Sequence, residues 1–252
     1  MSTRDERIAS IPKALSIIEA FSRDAPSLTI SEAARRTGTT RASARRILLT
    51  LEELGYVGTD QGRFFLRPSI LRLGFAYLSS SPIRDAATTY LESLAERFEE
   101  SCSVAVLDAD EIVYVARMPA RRIMTITLAV GARLPAYCTS LGRVLLASLP
   151  STELDGYFKR TEPAALTEYT VTKQVALRKL IAETRDKQYA VVDQEREVGV
   201  RSVAVPLNDA SGRTVAAINI SAHASRVTME ALETTYLAAL REAADQINAR
   251  LI

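Results

Sequence analysis

Residues 35–48, RRTGTTRASARRIL, place five arginines (Arg35, Arg36, Arg41, Arg45 and Arg46) within fourteen positions, just ahead of a leucine-rich run. Guanidinium groups are permanently charged and match phosphate oxygens and guanine edges with paired hydrogen bonds. Clustered this densely, they point to duplex DNA. The rest of the chain offers little for covalent or acid–base chemistry. Its one histidine, His223, lies in a Ser/Ala-rich loop after the last strand, and neither Cys102 nor Cys138 has an evident histidine partner. No Cys/His/Asp cluster has metal-ligand spacing, and the glycines of VGARLP and TSLGR lack the spacing of a phosphate loop. The stretch DQEREVG (193–199) reads as a salt-bridged loop around Arg196 more than as paired catalytic carboxylates. No catalytic residue, metal or cofactor is expected, and the chain does not read as an enzyme.

The net charge of +2 conceals an asymmetry. Residues 1–78 hold 12 Lys/Arg against 8 Asp/Glu, and the remaining 174 residues hold 20 against 22. A nucleic-acid-binding end is thus joined to a body with another task, and 252 residues suffice for two domains. No apolar run approaches the ~20 residues of a membrane span. The charged start MSTRDERIAS lacks the apolar core of a signal peptide, and two cysteines are too few for a disulfide framework. A cytoplasmic protein without a membrane partner is expected.

The arginines need elements to aim them. IPKALSIIEAFS (11–22) spaces Ala14, Leu15, Ile18 and Phe21 as one helix face, and LTISEAARRTG (28–38) is a shorter helix, with Thr29 or Ser31 as cap and Gly38 as stop. TTRASARRILLTLEELG (39–55) is a third. At ~100° per residue, Ala44, Ile47, Leu48, Leu51 and Leu54 form its core side, while Ala42, Arg45, Arg46 and Leu49 point away and Arg41 and Ser43 flank. Thr40, Arg41, Ala42, Ser43, Arg45 and Arg46 thereby make the first half of a recognition helix, with small residues admitting close approach to the major groove. YVGTDQGRFFL (56–66) is a hairpin turning at Asp60–Gly62, with Arg63 at its tip for a phosphate or minor groove. Three helices and a hairpin are a winged helix-turn-helix, expected over 1–67. A helix over 68–80, apolar nearly all round, links it to the rest and is expected to pack partly on a second subunit.

Residues 81–252 read as an effector-binding and oligomerisation domain of mixed α/β type around an antiparallel sheet, giving the chain an α+β class overall. A long helix from Pro82 precedes a hairpin over 103–117, and a further strand falls within 122–137. A helix over 138–149, a charged helix over 173–188, strands over 200–207 and 213–221, and a closing helix from Thr228 complete it.

Along essentially its whole length the chain resembles the IclR family of bacterial transcriptional regulators. The likeness rests on IPKALSIIEAF, LTISEAARRTG, ARRILLTLEELGYV and LRLGFAYL, then on LPAYCTSLGRVLLA and YAVVDQEREVGVRSVAVPL…GRTVAAINIS. PAYCTSLGRVLLA with QEREVGVRSVAVPL most resembles the Pca/Pob branch, regulators of protocatechuate, 4-hydroxybenzoate and β-ketoadipate metabolism. The resemblance implies a GAF-like C-terminal domain that binds a small metabolite, and homodimers or tetramers on promoter DNA. It further implies an effector pocket lined by Ile126, Leu134, Ser140, Leu141, Val192, Val200, Ser202, Asn219 and Ser221. Relatives that sense small keto acids use an acid, a cysteine and a serine where this chain has Val192, Ser202 and Asn219, which argues against a glyoxylate- or pyruvate-type ligand.

The residues themselves suit a small carboxylate, aromatic or β-ketoadipate-like. Free N–H groups at the start of the 138–149 helix, beside Thr139 and Ser140, attract anions. Arg133 or Arg201 is a candidate charge-assisted partner, although Arg201 has Glu195 and Glu197 within reach along the chain. Tyr137 either covers a ring, bonds a hydroxyl or belongs to the core. The function expected is that of a ligand-responsive DNA-binding regulator of aromatic-acid catabolism genes. The alternative is a constitutive DNA-binding protein whose C-terminal domain only oligomerises.

Overall fold

A computed structural model describes residues 8–120 and 128–251, and the chain divides into two compact units, Met1–Tyr77 and Leu78–Ile252. The first contains helices α1 (Ser10–Glu19), α2 (Ile30–Thr37) and α3 (Arg41–Glu53), with strands β1 (Ser27–Leu28), β2 (Val57–Asp60) and β3 (Arg63–Leu66) in the order β1-β3-β2. Local chemistry sets the helix ends. The Thr29 hydroxyl accepts from the Glu32 N–H while the Glu32 carboxylate accepts from the Thr29 N–H, a reciprocal capping box. That backbone bond holds the Glu32 carboxyl below the usual carboxylate range. Gly38 ends α2 in the left-handed region (φ 64°), which only glycine enters without cost. Thr40 then caps α3 by accepting from the Ser43 N–H. Thr29→Ala is expected to lower the stability of this unit by about 1 kcal/mol, read as a lower urea midpoint by circular dichroism.

Ile17, Leu28, Ala33, Ala44, Leu48, Leu51, Val57 and Phe64 form its core. Two expected core residues lie outside it. Leu15 and Leu54 are 49% and 58% exposed, because Ile17 takes the inner position on α1 and α3 stops one residue short of Leu54. The helix after the hairpin opens as a 3₁₀ turn (Pro68–Ile70) and continues as α4 (Leu71–Ser80), so the two units divide within a helix.

The second unit is built on a six-stranded antiparallel sheet in the order β6-β5-β4-β9-β8-β7. Its strands are β4 (Ser101–Asp108), β5 (Glu111–Met118), β6 (Arg133–Pro135), β7 (Ala190–Asp193), β8 (Val200–Asn208) and β9 (Thr214–His223). Helices α5 (Pro82–Phe98) and α10 (Leu237–Asn248) cover one face around Leu91, Val104, Val203, Ile218 and Leu240. A short α9 (Met229–Ala231) and a π-helical turn (Leu232–Tyr236) lead into α10. Helices α6 (Ser140–Ser148), α7 (Ser151–Arg160) and α8 (Gln174–Lys187) cover the other face around Ile112, Leu141, Leu146, Leu177 and Ile181.

Strand register decides what the second face offers. Val192 pairs with Ser202, Ser202 with Ser221, and Ser221 with Ser101. One step along, Ala204 pairs with Asn219, Asn219 with Ser103, and Ser103 with Arg117. Cross-strand partners share a face, so these two rows form a polar strip on an otherwise apolar sheet. A bulge extends the strip. Ala105 pairs with Tyr114 and Val104 with Ala116, leaving Val115 as the extra residue of β5. Tyr114 and Arg117, three apart, therefore emerge on one face, where strict alternation would separate them.

Candidate functional site

In the first unit, Arg41, Ala42, Arg45 and Arg46 are exposed at the start of α3, with Ser43 half-buried beside them. Ala44, Ile47, Leu48 and Leu51 anchor the opposite side, so the buried stripe fixes the direction of the basic one. Thr40 is the N-cap, and its exposed position adjoins the same surface. Arg63 differs from expectation. It begins β3 beyond the Gln61–Gly62 turn, but its guanidinium folds back to donate to Ser27 Oγ (3.0 Å), the Ser27 carbonyl (2.9 Å) and the Glu32 carboxylate (3.2 Å). Its charge is matched within the unit, and the same carboxylate that caps α2 holds the hairpin.

In the second unit, the polar strip and the start of α6 enclose a cavity of about 300 Å³. The expected residues Leu134, Ser140, Leu141, Val192, Val200, Ser202, Asn219 and Ser221 all line it. Ile126 lies outside the described residues. The Ser140 and Ser202 hydroxyls share a 2.8 Å hydrogen bond, tying α6 to β8. Thr139 caps α6 by accepting from the Gly142 N–H (3.0 Å), and eight of the nine α6 residues are buried. The helix starts against the 3₁₀ turn Ala136–Cys138, and a Cβ on Gly142 would sit 2.1 Å from the Ala136 carbonyl oxygen.

Three expected side chains do not line the cavity. Arg133, one residue out of phase with Leu134 on β6, donates to Asp108 (2.7 Å) and Glu111 (2.7 Å) at the β4–β5 turn. Arg201, out of phase with Ser202, pairs across the strands with Asp193 (2.9 Å) and donates to the Val227 carbonyl. Neither Glu195 nor Glu197 is its partner. Tyr137 is buried, and its hydroxyl donates to the Ala164 carbonyl (2.9 Å) and accepts from the Ala164 N–H (3.1 Å), which makes it a fastener of the segment after α7.

The cations at the cavity are ones that sequence reasoning passed over. Arg117 donates to Ser103 Oγ (3.0 Å) and Ser101 Oγ (3.3 Å), and its Nε is buried without a partner. The Arg196 Nε is likewise buried and unpartnered. Among the described residues, neither guanidinium has a carboxylate within ion-pair distance. Burial without such a partner lowers the Arg117 pKa. Arg226 also lines the cavity but is paired with the buried Glu100 (2.8 Å), and Glu197 is the one carboxylate among the described lining residues. Asn219 donates through Nδ2 to Ser221 Oγ (2.9 Å), which leaves its Oδ1 buried and unbonded. Tyr114, Leu128, Leu134, Leu141 and Val192 supply apolar wall. The Cys138 thiol on the same wall is pushed up to about 11 by burial, so it stays protonated and unreactive near neutrality. His223 ends β9 with its Nδ1 2.7 Å from Ser225 Oγ. Two donors and one acceptor thus remain unmet in the wall of a chamber that is polar on the strip side and apolar around Tyr114, Leu128, Leu134, Leu141 and Val192.

The chain matches two family descriptions, the IclR helix-turn-helix domain over residues 10–61 and the bacterial transcriptional regulator IclR C-terminal domain over residues 75–249. It is 42% identical to the Pca regulon regulatory protein of Pseudomonas putida over 91% of this chain and 79% of that protein. A crystal structure of a Rhodococcus sp. RHA1 protein assigned as a transcriptional regulator superposes with a TM-score of 0.85 at 46% identity, covering 97% of this chain and 98% of that one. The inducer-binding domain of the Acinetobacter PobR transcription factor, a double mutant in complex with 3-hydroxybenzoic acid, gives a TM-score of 0.61 at 30% identity over 65% of this chain and 96% of that one. With both parts matched and the similarity spanning nearly its whole length, the chain belongs to the IclR family of bacterial transcriptional regulators, which are not enzymes.

Proposed function

We propose that this regulator grips double-stranded promoter DNA through the exposed start of α3 and binds a small hydroxylated aromatic carboxylate in the C-terminal cavity. The observation that carries the ligand class is the unmet polar inventory. The Arg117 and Arg196 guanidiniums on the wall, without a carboxylate partner among the described residues, call for an anionic acceptor, the Asn219 amide for a hydroxyl donor, and the wall of Tyr114, Leu128, Leu134, Leu141 and Val192 for a ring. The 3-hydroxybenzoic acid bound by the PobR domain has that combination of groups. Genes for the breakdown of such acids are the corresponding targets.

Isothermal calorimetry of the full chain with 4-hydroxybenzoate, protocatechuate and β-ketoadipate tests the reading. An aromatic hydroxy acid is expected to give saturable heat. Silence from all three would leave a constitutive DNA-binding protein whose second unit only oligomerises.

On the DNA side, Arg41, Arg45 and Arg46 are the reading and phosphate-contacting cations, while Arg63, half-exposed, is shared with Glu32 and Ser27. Arg45→Ala is expected to weaken binding to a duplex selected from random sequence about tenfold, followed by fluorescence anisotropy. Equal affinity in the variant would place the contact elsewhere. A homodimer fits the exposed apolar side chains of Leu71 (71%) and Phe75 (66%) on α4, and it would present two recognition helices to half-sites about 34 Å apart.

A further inference from the structure

Arg196, Glu197 and Val198 of the loop between β7 and β8 stand on the cavity wall, and next to them along the chain, at the edge of a separate open cavity of about 440 Å³, is a nearly buried ion pair. Arg143 on α6 and Glu195 are 3% and 8% exposed, and their charged atoms are 2.6 Å apart. The remaining side-chain bonds of the two residues go to the turn before α6 and to the segment before α8. Arg143 Nε donates to the Tyr137 carbonyl, and the Glu195 carboxylate accepts from the Val171 N–H. The Glu195 carbonyl accepts from the Thr170 hydroxyl (2.6 Å). Gln194 turns the chain through the left-handed region (φ 59°), and its side chain accepts from the Gly199 N–H to close the loop. Glu195 is thus drawn inward to α6, while its neighbour Arg196 lines the cavity.

Burying two charges costs desolvation that their attraction only roughly offsets, and apolar residues of similar volume stabilise a core equally well. The pair is therefore better explained by geometry than by stability. We propose that Arg143–Glu195 is a positioning latch. By fixing the loop to the same helix whose first turn lines the cavity, it holds the Arg196 guanidinium where a ligand carboxylate must dock. Glu195 sets the preference for an anionic ligand without touching that ligand. This inference rests on the carboxylate-binding reading of the cavity.

The test is a double-mutant cycle on the full chain, with affinities for 4-hydroxybenzoate and protocatechuate measured by calorimetry. E195Q is expected to weaken binding about tenfold in the wild-type background and less than twofold in an R196Q background. An equal loss in both backgrounds would overturn the latch, and so would an R196Q chain that binds as the wild type does. A second measurement needs no ligand. Amide exchange in the 194–200 segment is expected to quicken at least tenfold in E195Q, with residues 140–148 unchanged, and unchanged exchange in the loop overturns the proposal. If neither acid binds the wild type, the ligand class fails while the exchange result still decides the latch. Should E195Q not fold, R143L/E195L, which removes both buried charges, takes its place in each measurement.

Discussion

Gly142→Ala is expected to destabilise the second unit by about 3 kcal/mol or more and to abolish effector binding, although it adds a single methyl group in a helix, where alanine is ordinarily favoured. The new Cβ would lie 2.1 Å from the Ala136 carbonyl oxygen and 2.4 Å from the Ala136 Cα. Both are backbone atoms, so no side-chain rotation relieves the overlap. Either α6 or the Ala136–Cys138 turn must move, and the first turn of α6 carries Ser140 and Leu141 on the cavity wall. Urea unfolding of the full chain gives the stability change and calorimetry the binding. A midpoint equal to that of the wild type would mean that the turn does not rest on the helix.

Arg117→Met should separate binding from folding. The methionine keeps most of the aliphatic volume and removes the charge. Hydrogen bonds to a charged group contribute about 1.5–3 kcal/mol, so affinity for a carboxylate ligand is expected to fall by roughly 10- to 150-fold, a factor of ten corresponding to about 1.4 kcal/mol. Folding stability is expected to hold or rise, because the guanidinium is supported by two serine hydroxyls and no carboxylate. The neutral amide of the same acid should bind wild type and variant alike. A variant that loses stability but keeps its affinity would assign Arg117 to the fold.

Much of this architecture is legible in the residue pattern. The 3.6-residue period of α3 places Arg45 and Arg46 opposite Ala44, Leu48 and Leu51, as found. The resemblance brings Ser140, Ser202, Asn219 and Ser221 to one cavity, and the cross-strand register accounts for their meeting. What escapes the sequence has three physical causes. Arg63 meets Glu32 across 31 positions, a pairing that local periodicity does not encode. Arg133 and Arg201 each sit one residue out of phase with a cavity residue, and strand phase cannot be fixed before the register is known. Arg196 sits among acids close enough in sequence to neutralise it, yet Asp193 is taken by Arg201 and Glu195 by Arg143.

Between Tyr114 and Arg117 the pairing of the backbone matters more than the identity of the residues. β5 behaves as two short ribbons of opposite phase joined by one spare residue, and that residue lets a phenol ring and a cation look into the same chamber. Flattening the bulge at the same chain length would turn the guanidinium to the opposite face, whereas deleting the spare residue would leave Tyr114 and Arg117 two apart and still on one face. Selectivity for charge in this protein is thus written partly in how one strand is counted against its neighbour, a variable that side-chain identity alone does not reveal.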